Sequence, residues 1–242
     1  MTGDPDTKLR LTLAYDGAAF RGWAAQPGLR TVEGVVRGAL AAVYADSSGL
    51  AVAGRTDTGV HALANVASVD VRGGPPPERA AEALNSELPE DVAVVAAERA
   101  PADFHARFSA RARSYRYRIW RNRVRSPFEV GRSWWHPRPL DLARLGAEAA
   151  ALVGAHDFRA FTPTESQHEV FVRAVESARW SDEGDVLVFE ITADSFLRHM
   201  VRTLVGTMID EIDVAPLLGG RPRSDAGRTA LPHGLYLTGV RY

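Results

Sequence analysis

The chain has 242 residues, 45% of them hydrophobic and 24% charged, which suits one large or two small globular domains with a core of useful size. It contains no cysteine, which excludes disulfides, thiolate metal sites and cysteine nucleophiles and fits a cytoplasmic location. No apolar run reaches the about 20 residues that span a bilayer, and the polar start with Asp4, Pro5 and Asp6 does not read as a signal peptide.

Leu9, Leu11, Leu13 and Tyr15 alternate with Arg10, Thr12 and Ala14, which predicts a strand. Thr31 is placed to cap a helix that presents Val32, Val35, Val36, Ala39, Leu40 and Val43 on one face. Strands are expected over Leu50–Ala53 and Ala64–Val71, a helix entered through prolines over Pro75–Leu88, and a strand over Asp91–Ala97. The second half reads in the same order. A strand over Arg113–Trp120 and a helix over Leu140–Val153 lead to a hairpin of Val172–Trp180 and Val186–Thr192. A long helix over Ser195–Ile212, capped by Ser195, and a closing strand over Leu235–Arg241 follow. Two β-α-β-β-α-β units in tandem predict an α+β protein of two ferredoxin-like halves, residues 1–104 and 105–242. Their antiparallel sheets are expected to join, with an active-site cleft between the halves.

Net charge is −1, yet its distribution is uneven. Arg107, Arg111, Arg113, Arg116, Arg118, Arg121, Arg123, Arg125, Arg132 and Arg138 crowd one stretch in which Glu129 is the sole acid, interleaved with Tyr115, Tyr117, Trp120, Trp134 and Trp135. Guanidinium groups grip phosphates and aromatic rings stack on unpaired bases, so this stretch reads as a polyanion surface. The competing reading is a solvated strand face plus a basic loop, with acids elsewhere also able to neutralise these charges through ion pairs.

The connection between the second and third strands, Gly54 to Leu63, exceeds the about 2 to 5 residues usual in hairpins and carries Arg55, Asp57 and His61. Gly54 and Gly59 permit close approach or positive φ beside Asp57, and Thr56 and Thr58 can stiffen the loop locally. A catalytic carboxylate and a structural turn fit these features equally well. On the long helix, Arg202 lies on a face that turns half apolar, so it needs an anionic partner; Asp57 is one candidate, Glu190 and Asp194 are others. Tyr115 is placed either to pack in the core or to stack on an extruded base. Asp57 and His61 are four residues apart, as metal ligands on a helix would be, but Gly59 between them opposes a helix and no further ligands gather.

The loop Ala53-Gly54-Arg55-Thr56-Asp57-Thr58-Gly59-Val60-His61-Ala62 resembles the signature loop of TruA-type tRNA pseudouridine synthases. Further matches follow in order: Tyr15-Asp16-Gly17 with Phe20 and Gly22-Trp23, Thr31-Val32, Asn85 to Val92, and Asp103 to Ala110. Tyr115-Arg116-Tyr117, His156-Asp157-Phe158 with Phe161, Phe196 to Arg202 with Gly206, and Gly234 to Leu237 complete them. The resemblance implies isomerisation of uridine to pseudouridine at positions 38, 39 and 40 of the anticodon stem-loop of tRNA, by a homodimer using neither metal nor organic cofactor. It implies that Asp57 is the catalytic nucleophile and that Tyr115 stacks on the target base. Arg202 would pair with the aspartate, and Arg55 would hold the flipped nucleotide. Thr58, Ala25 and Glu33 depart from the residues common in the family, the last two in a region expected to contact RNA.

Overall fold

The computed structural model describes residues 7–166 and 168–242, with Met1–Asp6 of the sequence reading outside them. The chain forms two compact units, one of residues 1–111 with 237–242 and one of 112–236. Each mixes helices with mostly antiparallel strands.

In the first unit, β1 (Thr7–Tyr15), α1 (Val32–Val43), β2 (Asp46–Val52), β3 (His61–Arg72), α2 (Pro77–Glu87) and β4 (Val92–Arg99) follow in the expected order. Leu9, Leu11 and Leu13 are fully buried while their neighbours along β1 are half-exposed, the pattern their alternation dictates. β1 runs antiparallel between β3 and β4, and β2 pairs with the outer side of β3. The β1–β3 register puts Leu9 opposite Val69 and Leu11 opposite Ala67, then shifts between Leu13 and Tyr15. Such an irregularity re-aims the side chains beside it, here at the end of β1 that leads towards the Asp57 loop. Thr31 caps α1, its hydroxyl accepting the Gly34 N–H at 3.3 Å. The last strand, β10 (Leu235–Arg241), returns to this unit alongside β3.

The second unit contains β5 (Ala112–Trp120), β6 (Trp134–Trp135), α3 (Leu142–Ala151), β7 (Gly154–Asp157), β8 (Val172–Glu183), β9 (Val186–Ala193) and α4 (Met200–Ile209). β9 lies between β5 and β8, both antiparallel to it, and β7 extends the sheet beyond β8. Tyr117, Ile119, Phe189, Leu145, Phe158 and Phe161 are fully buried and form its core. Two expectations need correction. The short strands β6 and β7 gave no periodic signal, because two and four residues are too few to display one. The last helix begins at Met200, not at Ser195: His199 sits at its N-cap with φ 62°, left-handed backbone that a helix cannot pass through. Ser195 instead turns onto Asp194, whose carboxylate accepts its N–H at 2.5 Å. Among the described residues no helix is long and apolar enough to cross a membrane.

Candidate active site

Asp57 lies on the connection from Ala53 to Val60, between β2 and β3. Its neighbours decide its placement. Thr56, Gly59, Val60 and His61 are buried, Arg55 and Thr58 are exposed, and Asp57 itself is half-exposed. The turn closes on Asp57: the Val60 N–H donates to the Asp57 carbonyl at 3.1 Å, with Gly59 at φ 78° between them.

The segment after β1 grips this loop from outside. Trp23 N–H donates to the Thr56 carbonyl at 3.0 Å, and Gly59 N–H donates to the Phe20 carbonyl at 3.3 Å. At Gly17 a Cβ would stand 2.0 Å from the Val60 carbonyl oxygen; at Gly22, with φ 87°, it would stand 2.8 Å from that of Thr56. Backbone therefore meets backbone at both places, and no side chain fits there. The glycines expected to matter were those inside the loop. Gly17 and Gly22 matter as much, and the sequence marked them only through the family motifs around them.

His61 is buried, and its Nδ1 accepts the Gly17 N–H at 3.0 Å while lying 3.1 Å from Asp16 Oδ1. These contacts tie β3 to the Asp16–Gly17 turn.

Two of the three departures in the first unit, Ala25 and Glu33, meet each other. Glu33 accepts the Ala25 N–H at 3.0 Å and pairs with Arg37 at 2.7 Å. Burial works to raise the Glu33 carboxyl, but the Ala25 N–H and Arg37, with a smaller contribution from Arg55, outweigh it and hold the group below the ordinary carboxylate range. Arg55 thus sits in the electrostatic field of Glu33.

Tyr115 and Arg202 belong to the second unit. Tyr115 is buried on the same face of β5 as Tyr117 and Ile119, and the edge of its ring meets Phe196 with centroids 4.9 Å apart. Arg202 is half-buried on the otherwise buried helix α4, and its Nε donates to the Ala230 carbonyl at 2.8 Å. The adjoining carbonyl, Leu231, accepts the Tyr117 hydroxyl at 2.8 Å. Burial drives the Tyr117 hydroxyl far above its ordinary pKa, and the Arg202 charge acts in the opposite direction. Helix α4 and the strand of Tyr115 are thereby joined through neighbouring carbonyls. Of the four residues singled out, Arg55 and Asp57 share one loop of the first unit, and Tyr115 and Arg202 share this arrangement in the second.

The arginine-rich stretch divides in two. Arg113 donates to the Asp194 carbonyl at 2.8 Å, Arg116 pairs with Glu183 at 3.2 Å, Arg118 with Glu129 at 2.8 Å and Arg121 with Asp182 at 2.5 Å. Arg116, Arg118 and Arg121 are thus neutralised by acids, as the competing sequence reading allowed, while Arg113 is held by a backbone carbonyl. Arg123, Arg125, Arg132 and Arg138 are exposed, and Arg125 lies 5.6 Å over the Trp135 ring. Val124, Phe128 and Val130 beside them are 74%, 85% and 72% exposed.

A clamped loop that presents one carboxylate, and in the other unit an exposed basic and aromatic segment, suit a protein that acts on RNA. Comparison with known families agrees: the model of the tRNA pseudouridine synthase family matches residues 12–109 and 149–242. The tRNA pseudouridine synthase A of Moorella thermoacetica is 41% identical over 97% of this chain and 99% of that protein. Those of Bordetella petrii and Solibacter usitatus are each 39% identical over 97% of this chain, covering 91% and 99% of their own lengths. The chain belongs to the tRNA pseudouridine synthase family, isomerases that act on RNA.

Proposed function

We propose that this protein converts uridine to pseudouridine at positions 38, 39 and 40 in the anticodon stem-loop of tRNA, with Asp57 as the catalytic nucleophile. The observation that carries the reading is the Asp57 loop itself: a half-exposed carboxylate on backbone that is clamped on both sides, within a sequence that matches its family almost throughout. Isomerisation breaks the C–N glycosidic bond and forms a C–C bond between the same two partners, with no net redox change. A fixed nucleophile and a proton acceptor suffice for that, so we assign neither metal nor organic cofactor.

The remaining roles follow the family pattern. A base in a stem must first leave its stack, at a cost of a few kcal/mol. Arg55, exposed on the same loop, holds the extruded nucleotide out; Tyr115 stacks on the uracil and accepts the last proton; Arg202 pairs with Asp57 and fixes its orientation. The exposed arginines Arg123, Arg125, Arg132 and Arg138 contact tRNA phosphates, which offsets the cost of extrusion. We further propose that the architecture is two tandem ferredoxin-like halves, residues 1–104 and 105–242, acting as a homodimer in the cytoplasm.

The test is chemical mapping of pseudouridine in unmodified tRNA incubated with the purified protein. New pseudouridine at positions 38 to 40, unaffected by chelator, is the expected result. tRNA binding without any product, or product only at other positions, would contradict the proposal.

A further inference from the structure

Beneath the Asp57 loop lies a buried chain of polar groups that neither β1 nor β3 needs for its own pairing. The Tyr15 hydroxyl is 2.8 Å from Thr56 Oγ1 and accepts an N–H from Asn65 Nδ2 at 3.1 Å. The same Asn65 amide donates its other hydrogen to the Gly54 carbonyl at 2.9 Å, and its Oδ1 accepts the Val66 N–H at 2.9 Å. All three side chains are buried, Asn65 fully. The amide hydrogens of Asn65 are thus both used, one on each of two groups on the N-terminal side of Asp57: Gly54 directly, and Thr56 through Tyr15. Since the Tyr15 oxygen already accepts from Asn65, its own proton is available for Thr56. Burial pushes the Tyr15 hydroxyl up to about 12, against the smaller lowering by Thr56 and Asn65, so that proton stays in place throughout the physiological range.

Buried polar atoms are costly unless every one is satisfied, and a satisfied network fixes a single geometry. A core position facing Leu13 across the β1–β3 pair could hold an aliphatic residue at no loss to strand pairing, yet Asn65 stands there. The register shift between Leu13 and Tyr15 swings the tyrosine ring, which packs 6.1 Å from Trp23, to where its hydroxyl reaches Thr56. Trp23 in turn donates its N–H to the Thr56 carbonyl. Thr56, the residue next to Asp57, is therefore held by its side chain from one direction and by its backbone from another.

We propose that Tyr15, Thr56 and Asn65 are positioning residues for the reaction: their buried hydrogen bonds fix the backbone on the N-terminal side of Asp57 and so set the angle at which its carboxylate meets the substrate. None of them touches RNA in this assignment, and each acts through Asp57. The inference rests on Asp57 being the nucleophile. Nucleophiles need placement within about 0.5 Å of the productive geometry, so a loop released by one hydrogen bond loses turnover while its surface, and with it RNA affinity, persists.

The experiment compares Tyr15→Phe, Thr56→Val and Thr56→Ser with the unaltered protein and with Asp57→Asn, measuring kcat and KM on tRNA and the folded content by circular dichroism. Tyr15→Phe and Thr56→Val are each expected to lower kcat about 10-fold with KM within about two-fold. Because they break the same bond, the double variant should fall little further than the worse single one. Thr56→Ser keeps the hydroxyl and should restore most of the turnover. Unchanged kcat in folded Tyr15→Phe and Thr56→Val overturns the inference. So does a loss confined to KM, a Thr56→Ser as impaired as Thr56→Val, or a loss of activity that merely tracks loss of folded protein. An active Asp57→Asn would instead remove the reading on which the inference rests, so the two failures are told apart.

Discussion

The loop that carries Asp57 and the segment that carries Arg123 to Arg132 both link strands, but they are held in opposite ways. Around Asp57 the backbone is pressed against other backbone at Gly17 and Gly22, and Thr56, Gly59 and Val60 are buried. The arginine segment is tethered at its base, where the Trp120 indole N–H reaches the Val124 carbonyl at 2.9 Å and that of Trp135 reaches Asn122 at 3.0 Å. Beyond those tethers its apolar and basic side chains stand in solvent. The difference matches the work assigned to each. Attack on one atom depends on geometry, where misplacement by about 1 Å can cost about 100-fold in rate. Capture of a polyanion depends on charge and area, which tolerate movement.

Substitutions can break or sharpen this contrast. The largest effect is expected at Gly17→Ala: the added methyl would sit 2.0 Å from the Val60 carbonyl oxygen, so the loop must shift. Turnover should fall by about 100-fold with a lowered melting temperature. Near-normal kinetics would show that the loop tolerates displacement. Next comes the double change Arg123→Ala with Arg125→Ala. KM for tRNA should rise about 10-fold at moderate salt with kcat retained, and the slope of log affinity against log salt should shrink by about 1 to 2. A fall in kcat alone would mean that this segment takes part in chemistry.

A smaller effect is expected at the ion pair that fastens the gripping segment to β4. Arg30 donates both terminal nitrogens to the Asp91 carboxylate at 2.7 and 2.8 Å while its guanidinium lies 4.0 Å over the Phe20 ring. The hydrogen bond from Arg30 holds Asp91 below its ordinary range. A carboxylate with a depressed folded-state pKa adds stability above its unfolded pKa and loses it as pH falls through the folded value. Asp91→Asn should therefore melt lower at neutral pH, by at most about 1 kcal/mol because Arg30 is 41% exposed. The gap to the unaltered protein should close in strong acid; a gap that widened in acid would show that the pair is not what holds the segment. The smallest effect is expected at Arg116→Ala. Its pairs with Glu183 and Glu190 at 3.2 and 3.5 Å are partly solvated, so stability should move by less than about 1 kcal/mol and KM for tRNA by less than about two-fold if strand arginines do not meet RNA. A large rise in KM would return Arg116 to the binding surface.

Local signals made much of this fold legible. Alternation at Leu9, Leu11 and Leu13 fixes which face of β1 is buried, and the Thr31 hydroxyl marks the start of α1, because both effects act within a turn or a pleat of chain. The overlong connection pointed to Asp57 for the same reason. What could not be read depends on partners far apart in sequence. The grip of Tyr15 on Thr56 spans 41 residues and that of Asn65 on Tyr15 spans 50. The acids that neutralise Arg116 and Arg121 come from the β8–β9 hairpin, 67 and 61 residues on. Ser195 had the chemistry of a helix cap, yet the chain runs from Ser195 to His199 outside any helix, and the left-handed His199 delays α4 to Met200. Composition marked the arginines as a group; only the fold separates the paired from the exposed.

The most direct test of the central claim is single-turnover pseudouridine formation by Asp57→Asn, with enzyme in excess over tRNA at concentrations where binding is saturated. The substitution keeps the shape of the side chain and removes its charge. Folding and tRNA affinity should be unchanged, with pseudouridine formation at least about 1,000-fold slower. Formation at the unaltered rate would contradict the claim.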